Sequence, residues 1–295
     1  MDVYHLPGEL LEDGSAASST LIFRHFKSDR PVFKGKSVLH MSAISLVISG
    51  TKSMTFANRM VEVNDREFHF LSVGNCIVTM DLPARRPFES ILIFFDDSLL
   101  AAFHARHSEE IRIIREKHRI GTEPYLAIKK DEYLRHYIAG LQLLCQAPGG
   151  IPEKMKALKF EELLIYLLRN EPQQLLAFPI ARGRDLDDHS IRSAVETHRS
   201  GNTSLEELAF LCNLSLSTFK RRFVKIYGQA PGRWLLQKRM ELARDLIQQK
   251  GERPGEVYDK VGYENHSSFS QAFKQYFGES PTQLGKSTTR LAEAE

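Results

Sequence analysis

The stretches FKRRFVKIYGQAP at 219–231 and FSQAFKQYFGESP at 269–281 are one short pattern written twice. Phe219 and Phe269, Phe223 and Phe273, Gly228 and Gly278, and Pro231 and Pro281 each stand 50 residues apart, and Ser217 and Ser267 keep the same offset. Self-similarity at a fixed period marks a repeated supersecondary unit. Aromatic residues at i and i+4 share one face of a helix, so each copy reads as a helix with a buried aromatic stripe. Each helix is predicted to begin at a Ser/Thr-rich cluster and to stop at Gly, which adopts the left-handed backbone that closes a helix. The Pro that follows then opens another helix.

The polar positions around the two stripes differ. The first copy has Ser217, Thr218, Lys220, Arg221, Arg222 and Lys225; the second has His266, Ser267, Ser268, Gln271, Lys274 and Gln275. A helix precedes each copy. In SLEELAFLCNLS at 204–215, Ser204 and Glu207 have the spacing of a capping box, and Leu205, Leu208, Ala209 and Cys212 give an apolar face. A turn at Asn213 and Leu214 leads into the helix at 215–227. Before the second copy, 254–261 reads as a short helix, with the turn at Gly262 and Tyr263. Two helices joined by a tight turn, the second apolar inside and polar outside, follow the helix-turn-helix plan, whose second helix fits a major groove.

Net charge is only +3, so the whole chain says little about nucleic acid, but the charge is unevenly placed. Between 215 and 250 there are nine Lys and Arg (Lys220, Arg221, Arg222, Lys225, Arg233, Lys238, Arg239, Arg244, Lys250) against two acids, Glu241 and Asp245. Such a local surplus is the footprint of phosphate binding.

The region 191–284 resembles the DNA-binding domain of the AraC/XylS family of bacterial transcription regulators. WLLQKRMELARDLI at 234–247 is similar to the family's connecting helix, with matches at Trp234, Leu235, Arg239, Ala243, Leu246 and Ile247; GYENHSSFSQAFKQYFGESP at 262–281 carries the other signature. Two departures stand out. Val257 and Tyr258 occupy positions where the family usually has Ile-Ala, and Gln283, Leu284 and Gly285 replace its aromatic–Arg ending. The resemblance implies an all-α domain with two helix-turn-helix motifs on one linker helix. It implies that Ser217, Lys220 and Arg221 on the first reading helix, and His266, Ser267 and Gln271 on the second, face base edges. Arg to guanine and Gln to adenine are natural bidentate pairs. Thr218, Arg222, Lys225 and Lys274 are then assigned to phosphates, which set register without reading sequence. The implied partners are double-stranded DNA and RNA polymerase, with activation more usual in the family than repression.

At 295 residues the chain has room for two domains. Its 42% hydrophobic and 26% charged residues are ordinary for a globular protein. Cys76, Cys145 and Cys212 are widely separated and fit neither a disulfide framework nor a zinc pattern, which favours a reducing compartment. No apolar run long enough to span a membrane and no basic-then-apolar leader is found, so a cytoplasmic location without membrane attachment is expected.

Residues 1–97 read as β-rich: SAISLVISG at 42–50, KSMTFANRMVEV at 52–63 and EFHFLSVGNCIVTM at 67–80 mix alternation with β-branched and aromatic residues, and FESILIFFDD at 88–97 reads as a buried strand. Short strands at this spacing suggest a small barrel or sandwich. Beside an AraC-like C-terminus, the resemblance implies a cupin-like, jelly-roll barrel that senses an effector. Helices are predicted at 99–117, 131–146 and 153–169, flanking that barrel. In the last, Met155, Leu158, Leu164, Ile165 and Leu168 nearly encircle the axis, so it packs on its own barrel or on a second copy of the chain. It is similar to the helical part of type III secretion activators in the family, where it supports self-association. The expected domains are 1–178 for sensing and dimerisation, a linker at 179–188, and 189–295 for DNA binding. The effector is left open between a small molecule and a protein.

A rival reading is a cupin-type metalloenzyme with an appended DNA-binding module. It needs inward histidines and a carboxylate on neighbouring strands, but the strands offer only His40 and His69, and neither sits in a His-x-His arrangement. His104 and His107, with Glu109, Glu110 and His118 nearby, read as a solvated helix face rather than a metal site. No Gly-rich phosphate loop or nucleophile elbow is found. The expectation is no catalytic residue, no metal and no cofactor.

Overall fold

The computed structural model describes residues 3–11, 19–81, 87–180, 188–199 and 203–285. They form an N-terminal and a C-terminal compact unit, parted within 181–187. That stretch, most of the expected linker, lies outside the described residues.

The N-terminal unit contains strands β1 (Val3–Leu6), β2 (Leu21–Ser28), β3 (Val32–Leu39), β4 (Ser42–Ser49), β5 (Lys52–Thr55), β6 (Met60–Val63), β7 (Glu67–Leu71), β8 (Gly74–Met80) and β9 (Phe88–Phe95). After helices α1 (Asp97–Arg106) and α2 (Ser108–Lys117) comes a last strand, β10 (Tyr125–Lys129), then α3 (Glu132–Gln146), α4 (Glu153–Asn170) and α5 (Pro172–Ala177). The strands make two five-stranded sheets, ordered β1-β3-β8-β5-β6 and β10-β7-β4-β9-β2.

Alternation along β4 and β9 explains the layering, since successive side chains of a strand point to opposite faces. Ala43, Val47, Phe88, Leu92 and Phe94 pack with Leu39, Met54, Val63, Cys76 and Met80 of the other sheet. Ile44, Leu46, Ile91, Ile93 and Phe95 turn the other way and meet Phe103, Leu134, Leu141, Phe160, Leu163 and Leu167 of the helices. A strand covered on both faces reads as an unbroken apolar run, which is why FESILIFF looked fully buried. Sheet, sheet and helices thus stack as three layers. Among the described residues the two sheets share no strand pairing, so of the barrel or sandwich expected for this β-rich unit the structure is an open sandwich of two sheets.

The expected helix at 99–117 is two helices, broken at His107. β10, beyond the expected β-rich region, pairs antiparallel with β7. Pro172 stands at the first turn of α5, where its missing N–H costs nothing. α4 divides its apolar residues. Phe160, Leu163, Leu164, Leu167 and Leu168 are buried, whereas Met155, Leu158 and Ile165 stay exposed.

The C-terminal unit comprises α6 (Asp188–His198), α7 (Leu205–Leu211), α8 (Leu216–Tyr227), α9 (Pro231–Gln248), α10 (Pro254–Val257) and α11 (His266–Phe277). Its apolar residues form two cores threaded on α9. Trp234 and Leu235 pack with Ile191, Val195, Leu208, Ala209, Phe219 and Phe223. Met240, Ala243, Leu246 and Ile247 pack with Val257, Val261, Phe269, Phe273 and Leu284. At about 100° per residue these two groups lie roughly 140° apart around α9, a rod about 27 Å long. Each core therefore has its own face and its own end of the rod.

Candidate nucleic-acid interface

Local sequence fixes where each reading helix starts and stops. The side chain of Ser204 accepts from Glu207 N at 3.1 Å while Glu207 accepts from Ser204 N at 2.8 Å, closing the capping box of α7. Ser215 Oγ accepts from Thr218 N at 3.2 Å to cap α8, and Asn265 Oδ1 accepts from Ser268 N at 2.9 Å to cap α11. Both helices end on glycines in the left-handed region, Gly228 at φ 71° and Gly278 at φ 83°. Phe219, Phe223, Phe269 and Phe273 are fully buried, so none is a platform for stacking on a base.

The two turns can be superposed by their hydrogen bonds. Leu214 N donates to Ala209 O at 2.9 Å, and Tyr263 N donates to Tyr258 O at 2.9 Å. Asn213 at φ 55° and Gly262 at φ 82° supply the left-handed residue in each. The first helices therefore repeat at 49 residues, while the reading helices, capped at Ser215 and Asn265, repeat at 50. Glu264 is the extra residue in the second turn, and Tyr258 is the counterpart of Ala209.

Helical spacing then arranges the sequence-predicted site residues. On α8, Ser217, Lys220 and Arg221 form one exposed row; Thr218, Arg222 and Lys225 form the row beside it, with Thr218 and Arg222 half-buried and Lys225 exposed. Thr218 has a second duty, because its Oγ1 accepts from Ser215 Oγ at 2.9 Å. On α11, His266, Ser267, Gln271 and Lys274 are exposed; Ser267, Gln271 and Lys274 share a face turned away from Phe269 and Phe273, and His266 flanks that face on the Phe269 side.

Ser270 on this face escaped the sequence reading, and Tyr258 was noted there as a departure but not as a contact of the face. Ser270 is the 50-residue partner of Lys220, lies one turn after His266, and has its Oγ 3.5 Å from His266 Nε2. Tyr258 is half-buried and sets its ring against that of His266, centroids 6.3 Å apart at 89°. The repeat itself was the available signal for both.

The basic footprint is smaller than the count of charges implied. Lys238 pairs with Glu241 at 2.8 Å, and its bond, with that from Gln237, holds the Glu241 carboxyl below the usual range. Arg244 lies over the Phe277 ring at 5.2 Å. Lys220, Arg221, Arg233 and Lys250 are exposed.

The other candidate groups are dispersed. His40 is exposed at the end of β3, its Nε2 2.9 Å from His5 Nδ1. His69 is fully buried in the sandwich, 2.7 Å from the Tyr125 hydroxyl, and desolvation, with Lys52 and Lys130 nearby, lowers its pKa to about 4. Burial and the charge of Arg115 also lower that of His104; His107 Nδ1 stands 4.0 Å from Glu110. Desolvation pushes the Cys76 and Cys212 thiols up to about 12 and raises Cys145 as well. Among the described residues no three His, Cys, Asp or Glu side chains converge as metal ligands, and no helix is long and apolar enough to cross a membrane.

Two helix-turn-helix units on one helix define a DNA-binding module. Residues 208–287 match a helix-turn-helix domain, and residues 42–178 match the ExsA N-terminal regulatory domain. The chain carries an AraC-type helix-turn-helix domain at its C-terminus. It is 32% identical over 110 residues to the probable transcriptional regulator LumQ of Photobacterium leiognathi, a match covering 37% of this chain and 44% of LumQ, so it spans less than half of that relative. It is 22% identical over 254 residues to the virulence regulon transcriptional activator VirF of Yersinia enterocolitica, covering 86% of this chain and 92% of VirF. A crystal structure of ToxT from Vibrio cholerae aligns with a TM-score of 0.38 at 12% identity, over 90% of this chain and 97% of that one.

Proposed function

We propose that the protein is a sequence-specific DNA-binding transcription regulator, and an activator, that reads two successive major grooves with α8 and α11. The observation that carries this reading is the pair of exposed polar faces, each on the second helix of a helix-turn-helix and both anchored to α9. The names of VirF and LumQ support it. Ser217, Lys220, Arg221, His266, Ser267 and Gln271 meet base edges; Thr218, Arg222, Lys225 and Lys274 meet phosphates. Successive grooves on one face of straight duplex lie about 34 Å apart. Any mismatch with the spacing set by α9 bends the DNA, at about 1–6 kcal/mol.

In this reading residues 1–178 regulate, 179–188 link and 189–295 bind DNA. The protein works in the cytoplasm without membrane attachment, is not an enzyme, and contacts RNA polymerase. A small molecule or a protein acts on the N-terminal unit. The exposed residues Met155, Leu158 and Ile165 of α4, with Tyr133 beside them, support dimerisation through that helix. The dispersal of His40 and His69 gives the metalloenzyme reading no support.

Arg221→Ala should weaken binding to the preferred duplex by about 1–3 kcal/mol and relax one base preference. Fluorescence anisotropy on specific and random duplexes tests this; equal losses on both would refute base reading by Arg221. Lys225→Ala should weaken both alike and reduce the salt slope by about one, and an unchanged slope counts against a phosphate contact.

A further inference from the structure

We propose that Tyr258 determines the base preference of the second reading helix by holding the His266 ring in place. The inference rests on groove reading by α11 and names a positioning residue that groove reading alone does not require.

An exposed histidine at the start of a helix would ordinarily sample several rotamers, and a contact made from several rotamers discriminates poorly between bases. His266 is held on three sides. The Tyr258 ring meets it at 89° with centroids 6.3 Å apart, the Phe269 ring meets it at 62° and 6.3 Å, and Ser270 Oγ stands 3.5 Å from Nε2. Near-perpendicular aromatic pairs at such distances are favourable arrangements of ring quadrupoles. Phe269 is itself fixed, being fully buried and braced by Tyr263 at 5.7 Å. Nε2 faces Ser270, which leaves Nδ1 as the ring nitrogen for a base edge.

The first unit contains no equivalent device. The counterpart of Tyr258 is Ala209, which is buried and has no ring to offer. The counterpart of His266 at the 50-residue offset is Leu216, which packs on the first core. Ala209 lets α7 lie close to α8; a tyrosine there is too large to be sealed in, and Tyr258 lies half-buried, packed partly on the second core and partly on the histidine. The departure from a small residue thus couples the first helix of this unit to the opening residue of its reading helix.

The test is selection of preferred sites by the full chain from a randomised duplex pool. Anisotropy titrations on the best site, its single base-pair variants and a random duplex then follow. Tyr258→Ala should lower discrimination at one base pair under α11 by about three- to tenfold, as His266→Ala does, with random-duplex affinity and the α8 preferences unchanged. Tyr258→Phe, which keeps the ring, should behave as wild type, and the double variant should be no worse than His266→Ala alone. Should Tyr258→Ala fold poorly, Tyr258→Leu fills the space without an aromatic ring. Lost preference in that variant supports positioning, and retained preference overturns it. Two further results overturn it: Tyr258→Ala keeping the preference that His266→Ala loses, or Tyr258→Phe weakening all duplexes alike, which would make the hydroxyl a phosphate contact. A wild-type chain with preferences only under α8 sinks this inference and leaves the regulator function standing. One with no preference at any base pair sinks both.

Discussion

The first helix-turn-helix unit is basic and capped by side chains on both helices. The second carries one Lys or Arg on its reading helix, Lys274, and enters its short first helix at Arg253 without a side-chain cap. Two copies of one plan have therefore diverged in what they bring to a duplex. α8 offers Lys220, Arg221, Arg222 and Lys225, groups suited to a polyanion whatever its sequence. α11 offers Ser267, Ser270, Gln271 and a braced His266, directional hydrogen-bonding groups suited to matching base edges. A shared topology thus leaves room for a division of labour in which one half supplies attraction and the other selectivity.

The comparison can be broken most severely in the cores. Phe223→Ala and Phe273→Ala each empty a fully buried site and should cost about 3–5 kcal/mol, measured by denaturant unfolding. Because the cores occupy different parts of α9, each variant should expose the amides of its own half first in hydrogen exchange, and uniform exposure would show that the cores unfold as one. Next come the glycine stops. A Cβ at Gly228 or Gly278 would meet nothing within 4 Å, so alanine there pays only for the left-handed backbone, about 1–2 kcal/mol and the same in both halves. Unequal shifts in thermal melting would reveal strain in one turn alone. The smallest effects should separate the entry caps. Ser204→Ala should lose about 1 kcal/mol, while Arg253→Ser should gain roughly 0.5 kcal/mol by supplying the cap the second unit lacks.

Much of this architecture was legible because local chemistry and global fold agree. The aromatic stripes, both glycine stops, the capping box at Ser204 and the proline at the head of α9 all act within a few residues of their own position. β10 was not legible, since five residues of mixed pattern become a strand only when β7 is there to pair with them. The choice between barrel and sandwich was illegible for the same reason. Alternation says that strands exist, and only long-range pairing says whether a sheet curls shut. α4 looked uniformly apolar, and nothing local could say that Leu163 and Leu167 would be buried while Leu158 would not. Within the site, the exposure of Lys220, Arg221 and Gln271 followed from helical phase. Tyr258 stood out as a departure, but its contact with His266 required the turn to be built first. Lys238 was counted as free charge because its pairing with Glu241, only three residues on, was given no weight.

Glu264, the single residue by which the second turn exceeds the first, governs how the module can be re-engineered. The helices 215–227 and 265–277 are in frame and can be exchanged as cassettes, each still starting from its own capping residue. A cassette cut inside the first helix at the same 50-residue offset would instead enter that helix one position out of phase, a rotation of about 100°. Retargeting to a new operator is therefore a matter of swapping helices while leaving the hinges that present them in their native lengths.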